Sequence, residues 1–217
     1  SIRMSSNPNQ IVEHIVLFKA KPEADAEAMI TNLNSLSSLD SVLHLSAGPV
    51  SRCRSQLTFT HMLHSRYASK SDLNSYSVHP SHVDVVNNYV KPVVQDLMAV
   101  DWVADDLSGS PVISSGSVLR VSLLKLKEGV SEGEKDEVFG VVRGIRDKFA
   151  SIEQLSVGEN FSPGRAKGFS VCSIAVLNGV NELEKLDSEQ DLAKEEKNKV
   201  REFLDSVLVL DYTVAPS

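Results

Sequence analysis

The stretch IVEHIVLFKAK at residues 11–21 returns with the same pattern as SVLRVSLLKLK at residues 117–127. Both stretches are short and rich in β-branched or aliphatic side chains between polar neighbours, which is typical of a β-strand. Three further pairs repeat at one common spacing of 110 residues: Gly48 with Gly158, Phe59 with Phe169, and Asp101 with Asp211. A repeat of this length predicts that the 217-residue chain holds two copies of one domain.

Each copy is predicted to contain its elements in the order β-α-β-β-α-β. The first helix is clearest in the second copy, where Val138, Val142 and Ile145 recur at helical spacing. In the first copy, Pro80 and Pro92 interrupt the second helical region. This order predicts an α+β chain of two tandem ferredoxin-like (βαββαβ) units. Because helices cover only one face of each sheet, the bare faces are expected to pack together as an internal pseudo-dimer, a dimeric α/β barrel.

The predicted boundaries divide the chain into four segments. Residues 1–10 form a disordered lead-in, residues 11–107 the first α/β barrel domain, residues 108–116 a Ser-, Gly- and Pro-rich linker, and residues 117–214 the second domain. The lead-in is polar and lacks the apolar centre of a signal peptide. No apolar run of 18 residues occurs, so we expect no membrane partner and a cytoplasmic location.

Charge and cysteine content argue against several classes of partner. Up to Ser110 the chain has 8 Lys and Arg against 11 Asp and Glu, and the remainder has 14 against 18. Neither half has the basic excess that a phosphate backbone requires, so nucleic acid is not expected as a partner. The two cysteines, Cys53 and Cys172, are not related by the repeat, which favours a reducing compartment over a disulfide scaffold.

Histidine is confined to the first copy: His14, His44, His61, His64, His79 and His82. The positions that match His14, His61, Tyr76 and His82 in the second copy are, in that order, Arg120, Val171, Leu186 and Leu192. Imidazole titrates near neutrality, so it can remove a proton from an activated carbon acid at cellular pH. Such chemistry is therefore expected at one site only, with the second copy as a structural partner. His44 and His64 are expected at surface or supporting positions.

Three segments of the first copy carry a family resemblance: HIVLFK at residues 14–19, FTH at residues 59–61 and YSVHPSHV at residues 76–83. Together they resemble the stress-responsive dimeric α/β barrel family of plants and bacteria, and the closing Asp-aromatic strands agree with it. The resemblance covers residues 11–107 and, more weakly, residues 117–214. It implies single domains that pair into homodimeric barrels, tandem versions such as this one, and roles in plant stress and defence. The family also includes a polyketide cyclase.

The resemblance to that cyclase implies roles for five residues. His82, the second histidine of His-Pro-x-His, matches a general base, and Tyr76 matches a tyrosine that orients the substrate carbonyl. His14, His61 and His79 are expected to line the same ligand pocket. The alternative for each histidine is a structural role as a hydrogen-bonded or packing residue, and His79 beside Pro80 is suited to helix entry.

No cofactor is expected to be required, but the resemblance implies that Mg²⁺ can be held where the first helix ends. The matching ligands are the backbone carbonyls of Leu33, Leu36 and Leu39. Carbonyls at the end of a helix carry the negative end of its dipole, which suits a hard cation. His61 and His64 lie three residues apart on a strand, so their rings point to opposite faces and are poorly placed for one zinc.

The sequence leaves three functions open. The first is a stress- or defence-associated protein that binds a small hydrophobic or phenolic ligand, with no established catalysis. The second is a cofactor-free, cyclase-like enzyme that uses His82 and Tyr76. The third is a structural assembly protein, and pocket volume distinguishes it from the other two because a sealed barrel hosts no ligand. Pairing of two chains into a homodimer through exposed sheet edges is a further expectation.

Overall fold

A computed structural model describes residues 10–105 and 107–216, so residues 1–9 of the predicted lead-in lie outside the described part. The first copy contains β1 (Ile11–Ala20), α1 (Glu27–Ser35), β2 (His44–Pro49), β3 (Arg52–Arg54), β4 (His61–Tyr67), α2 (Lys70–Val78), α3 (Pro80–Val85) and β5 (Val94–Ala104). The second contains β6 (Val118–Leu126), α4 (Glu132–Lys148), β7 (Ile152–Glu159), β8 (Val171–Leu177), α5 (Val180–Ser188), α6 (Gln190–Asn198) and β9 (Leu204–Thr213). The α+β fold of two tandem ferredoxin-like units is confirmed.

The strands form two antiparallel sheets with the same internal order. The first sheet runs β2-β4-β1-β5, and the second runs β3-β9-β6-β8-β7. The short strand β3 belongs to the first copy in sequence but pairs with β9 of the second, with Arg52 opposite Asp211 and Arg54 opposite Val209. The first copy therefore contributes one edge strand to the sheet of the second.

The bare faces of the two sheets pack against each other and form the central core. Side chains alternate along each strand, so one set points between the sheets and the other toward the helices. The set between the sheets is fully buried and includes Ile15, Leu17, Met62, Leu119, Val121, Ile174 and Leu210. This packing covers the apolar face that each sheet would otherwise expose, which is why one chain can form the barrel by itself.

Two related contacts hold the sheets together at their edges. A Cβ on Gly48 would lie 3.2 Å from the Tyr212 ring, and one on Gly158 would lie 2.6 Å from Cδ1 of Trp102. Beside them, the Oγ of Ser46 is 2.5 Å from the Tyr212 hydroxyl. The Nε1–H of Trp102 donates to the Oγ of Ser156 at 3.0 Å. The repeated glycines are thus explained by a repeated aromatic ring that lies directly against the backbone.

The helix layers differ between the copies. In the first copy the helices and the sheet share one apolar cluster, which includes Met29, Leu33, Leu63 and Tyr76. In the second copy the corresponding contacts divide into two clusters, one around Phe149 and Leu186 and the other around Val138 and Val142. The helix break at Pro80 is observed, since α2 ends at Val78 and α3 begins at Pro80.

Candidate functional site

The first candidate site lies between the first sheet and its helices. His14 of β1 is opposite Asp101 of β5, and its Nδ1 hydrogen-bonds to that carboxylate. The ring centroids of His14 and Tyr76 are 6.2 Å apart, and those of Tyr67 and Tyr76 are 5.4 Å apart. Tyr76 and His82 are closer, at 4.5 Å. The structure therefore brings His14, Tyr76 and His82 together, with Tyr67 and Asp101 as two members that sequence reasoning did not assign.

The hydrogen bond of His82 determines which of its nitrogens can act as a base. Its Nδ1 lies 2.9 Å from the carbonyl oxygen of Ser77. A carbonyl only accepts, so Nδ1 carries the proton and Nε2 keeps the free lone pair when the ring is neutral. Burial lowers the pKa of His82 and the Ser77 carbonyl opposes that shift in part, so the ring is neutral at pH 7. His82 thus has the state that a general base requires.

The two tyrosines of this cluster remain protonated. Burial raises the pKa of both Tyr67 and Tyr76 well above the ordinary value of 10.0. Each phenol can therefore donate a hydrogen bond, and the Tyr67 hydroxyl lies 2.8 Å from the Oγ of Ser65. For Asp101, burial acts to raise the pKa, but the hydrogen bond and charge of His14, together with Ser162 and Arg165, outweigh it, and the net shift is downward. The cluster combines neutral donors with one ionised carboxylate.

Two other predicted pocket residues, His61 and His79, make local hydrogen bonds of their own. His61 begins β4 and pairs with Phe18, four residues along the strand from Ser65, the partner of His14. At about 3.3 Å per residue this places it roughly 13 Å from the cluster along the sheet. Its ring nitrogen lies 2.8 Å from the Oγ1 of Thr60. His79 caps α3, where its Nδ1 accepts from the backbone N–H of Ser81 at 3.1 Å.

Of the two alternatives expected for His44 and His64, surface or supporting positions, the surface alternative is wrong. Both are buried at one end of the space between the sheets, with ring centroids 5.5 Å apart. His64 Nε2 lies 2.9 Å from Glu13, whose carboxylate also accepts from Arg66 at 2.7 and 3.0 Å. Alternation along β1 and β4 places Glu13, His64 and Arg66 on the inner face. Because their neighbours in the sequence are apolar, no sequence signal indicated that these polar side chains are buried together.

The carbonyls predicted to hold Mg²⁺ each accept one backbone hydrogen bond. Leu33 accepts from Leu36, Leu36 accepts from Leu39, and Leu39 accepts from Val42. Each oxygen keeps a second lone pair, so this donor set remains compatible with a hard cation. Among residues 10–105 and 107–216, no group of three His, Cys, Asp or Glu side chains could hold a metal ion.

The second candidate site is a cavity of about 580 Å³ between the second sheet and its helices. Its walls are mostly apolar and come from both separated clusters of the second copy, with Val142, Ile145, Phe149, Leu155 and Leu186 among them. It occupies the place that the aromatic cluster fills in the first copy, because Leu186 stands where Tyr76 does. Sequence reasoning missed this site, although the smaller residues at the matching positions were visible.

One end of this cavity is strongly charged. Arg120 binds Asp211 through two hydrogen bonds of 2.8 and 3.0 Å, and its guanidinium also reaches Asp187 at 2.9 Å. Arg52 and Arg54, on the strand that the first copy contributes, each approach Asp187 at 3.4 Å. The pair Arg120–Asp211 stands where His14–Asp101 stands in the first copy, so the same register carries different chemistry.

Comparison with known proteins gives consistent matches. The family model described as the stress responsive A/B barrel domain matches residues 12–104 and residues 118–214. One stress-response A/B barrel domain-containing protein of Arabidopsis thaliana is 50% identical over 221 residues, which span 100% of this chain and 84% of that protein. A second stress-response A/B barrel domain-containing protein of the same plant is 40% identical over 215 residues, which span 96% of this chain and 99% of that protein.

Solved structures show the same fold at low identity. A Fusobacterium nucleatum protein, provisionally described as a monooxygenase, aligns with a TM-score of 0.65 at 12% identity, over 95% of this chain and 93% of its own. An anthrone oxidase-like protein aligns with a TM-score of 0.65 at 11% identity, over 100% of this chain and 95% of its own.

Within the described residues, no helix is both long enough and apolar enough to cross a membrane.

Proposed function

The chain belongs to the stress-responsive A/B barrel domain family, and we propose that it is a stress-associated protein that binds a small hydrophobic ligand, with no established catalysis. The observation that carries this proposal is the cavity of about 580 Å³ in the second copy. Pockets that hold small molecules measure roughly 300–1,000 Å³ and have mostly apolar walls. This cavity has the size and the lining of such a pocket, which a purely structural assembly protein would not need.

The ligand is expected on the helix side of the sheet rather than between the sheets. The residues between the sheets are close-packed, with Leu17, Met62, Leu119 and Leu210 all fully buried. Burial of apolar surface contributes about 25 cal/mol per Å² removed from water, so a planar hydrophobic molecule would gain most of its affinity from the apolar walls. Ser122 and Ser173 on the sheet supply polar groups that can orient it.

A neutral probe tests this proposal without involving the charged end. We expect 2-naphthalenemethanol to bind the native protein with one-to-one stoichiometry, measured by isothermal titration calorimetry. Ala175→Leu adds volume inside the cavity and is expected to weaken binding at least tenfold. Val180→Leu adds a methylene to an exposed position of α5 and serves as the matched control. The proposal fails if the native protein takes up no neutral probe, or if both variants bind it equally.

A second candidate function is general-base catalysis in the first copy, of the kind that cyclises a polyketide chain. Its support is the state of His82, whose Nδ1 donates to Ser77 and whose Nε2 lone pair is free. The Tyr76 ring is 4.5 Å away and can hold a carbonyl that becomes an enolate. His82 is half-buried, whereas Tyr76, Tyr67 and His14 are buried, so a substrate would meet His82 first.

Turnover of a linear poly-β-keto thioester tests that candidate. Removal of a general base typically costs about 10²–10⁴-fold in rate, so His82→Ala should abolish cyclisation while it weakens substrate binding only modestly. His79→Ala, which removes the neighbouring cap histidine, is the matched control and should keep most activity. Equal rates for native protein and His82→Ala would exclude this role.

The proposed setting is the cytoplasm of a plant cell under stress or attack, supported by the Arabidopsis relatives and by two free cysteines, Cys53 and Cys172. A fluorescently tagged chain found in another compartment would contradict it.

Pairing of two chains is a separate proposal, because each chain already covers its bare sheet faces internally. A monomer mass at every concentration in light scattering would rule that pairing out.

A further inference from the structure

We propose that the cavity of the second copy selects amphipathic monocarboxylates, with the acid group held by the guanidinium cluster of Arg52, Arg54 and Arg120. This inference rests on the proposed function, because it names the class of ligand for the same cavity. Nothing in the repeat predicts it, since the positions that match these arginines in the other copy are, in that order, Ser162, Gly164 and His14.

The charge balance at this end of the cavity is positive. Three guanidiniums meet two carboxylates, Asp187 and Asp211. Asp211 is buried and is engaged by both oxygens with Arg120, so it is already neutralised. Asp187 is left to balance Arg52 and Arg54 by itself, with contacts of 3.4 Å to each. One additional anion would neutralise the cluster.

The arginines retain donors that a carboxylate can use. The bonds of Arg120 occupy its Nε and one terminal nitrogen. Within the part of the chain that the structure describes, no hydrogen bond engages its other terminal nitrogen. The side chains of Arg52 and Arg54 are 53% and 43% exposed, so they can move to meet a ligand. A guanidinium presents paired N–H groups that match the two oxygens of a carboxylate.

The remaining walls determine the other part of the ligand. Val142, Ile145, Phe149 and Leu155 also line the cavity and offer no hydrogen bonds through their side chains. A ligand that satisfies both regions has one acid group and an apolar body, such as an aryl carboxylate or a medium-chain fatty acid. A dianion would bring a second charge against these apolar walls and is expected to bind less well.

A matched pair of probes separates this inference from the proposed function. We expect 2-naphthoate to bind the native protein at least tenfold more tightly than 2-naphthalenemethanol at pH 7.5, as measured by isothermal titration calorimetry. The double variant Arg52→Ala/Arg54→Ala should remove that preference, so that the acid binds no more tightly than the alcohol. Arg52 and Arg54 are partly exposed, so the fold should persist, and circular dichroism checks this. Arg165→Ala, whose charge lies near His82 of the first copy, is the matched control and should keep the preference.

The outcomes show whether this inference, the proposed function or both are wrong. If the alcohol binds and the acid binds no more tightly, the inference is overturned and the proposed function stands. If neither probe binds, both are overturned. If the acid is preferred but Arg165→Ala rather than the double variant removes the preference, the acid site belongs to the first copy and the inference is again wrong.

Discussion

The two copies have the same strand order and the same register, but they use the space beneath their helices differently. In the first copy Tyr67 and Tyr76 are buried there together with His14. In the second copy leucines stand at the two tyrosine positions, and a cavity of about 580 Å³ remains. The smaller side chains of the second copy contribute to this difference, because close packing fills a space only when the side chains are large enough.

The polar pair beneath the helices differs in the same way. Asp101 and Asp211 occupy the same position of the closing strand, and each accepts from the residue opposite it on the opening strand. That residue is His14 in the first copy and Arg120 in the second. A guanidinium stays charged and presents several N–H donors in a fixed planar array, which an imidazole ring does not. The two copies thus place different side chains, an imidazole and a guanidinium, against the same aspartate position.

The largest expected effect comes from substituting the glycines at the two junctions between the sheets, where Gly48 lies against Tyr212 and Gly158 against Trp102. A Cβ at Gly158 would lie 2.5 Å from the carbonyl oxygen of Val103, a backbone atom that cannot move aside alone. At Gly48 the nearest atom belongs to the Tyr212 side chain at 3.2 Å. We expect Gly158→Ala to lower the free energy of unfolding by about 3 kcal/mol and Gly48→Ala by about 1 kcal/mol. Urea denaturation measures both, and equal losses would show that the two junctions are packed alike.

Exchanging one residue between the copies should reverse the difference between the two spaces. Tyr76→Leu removes a buried ring from the first copy and is expected to cost about 2–3 kcal/mol of unfolding free energy. Leu186→Tyr places that ring at the matching position of the second copy and should abolish binding of the neutral naphthyl probe. Urea denaturation and calorimetry measure the two effects. If Leu186→Tyr binds the probe as the native protein does, then side-chain volume is not what distinguishes the copies.

The first copy should be the more sensitive to acid. Burial, aided by the charges of His64 and Arg66, lowers the pKa of His44 from 6.5 to about 3. Between these values the unfolded chain binds more protons than the folded one, so stability falls as pH falls below about 6.5. At pH 5 this single group should cost about 2 kcal/mol relative to pH 8.

Urea denaturation of native protein and His44→Gln at the two pH values measures that loss. The variant should show a weaker pH dependence, and hydrogen exchange at pH 5 should open β2 and β4 before β6 and β8. A native protein whose free energy of unfolding is the same at pH 5 and pH 8 would contradict the assignment.

The smallest expected effect concerns the cation predicted at the end of α1. If the carbonyls of Leu33, Leu36 and Leu39 hold Mg²⁺, then EDTA should lower the melting temperature by roughly 1–2 °C, and added Mg²⁺ should restore it. Differential scanning calorimetry is the measurement. An unchanged melting temperature would show that no bound Mg²⁺ stabilises the first copy.

The candidate sites were predictable to different degrees. His82 and Tyr76 came from a motif, and they do lie side by side because one break at Pro80 folds α3 back beside α2. The second copy has a break at the matching place without a proline, between Ser188 and Gln190, which no residue signal indicated. His61 shares a sheet face with His14, but a linear sequence carries no measure of the distance along that face.

The sequence by itself determined the duplicated βαββαβ order and the pairing of Gly48 with Gly158. These follow from local periodicity and a constant spacing, which act over a few residues or along one register. Only the tertiary structure decided which copy keeps a cavity and that β3 carries Arg52 and Arg54 to the second sheet. Both depend on volumes and distances summed over residues far apart in the chain, which a local pattern does not contain.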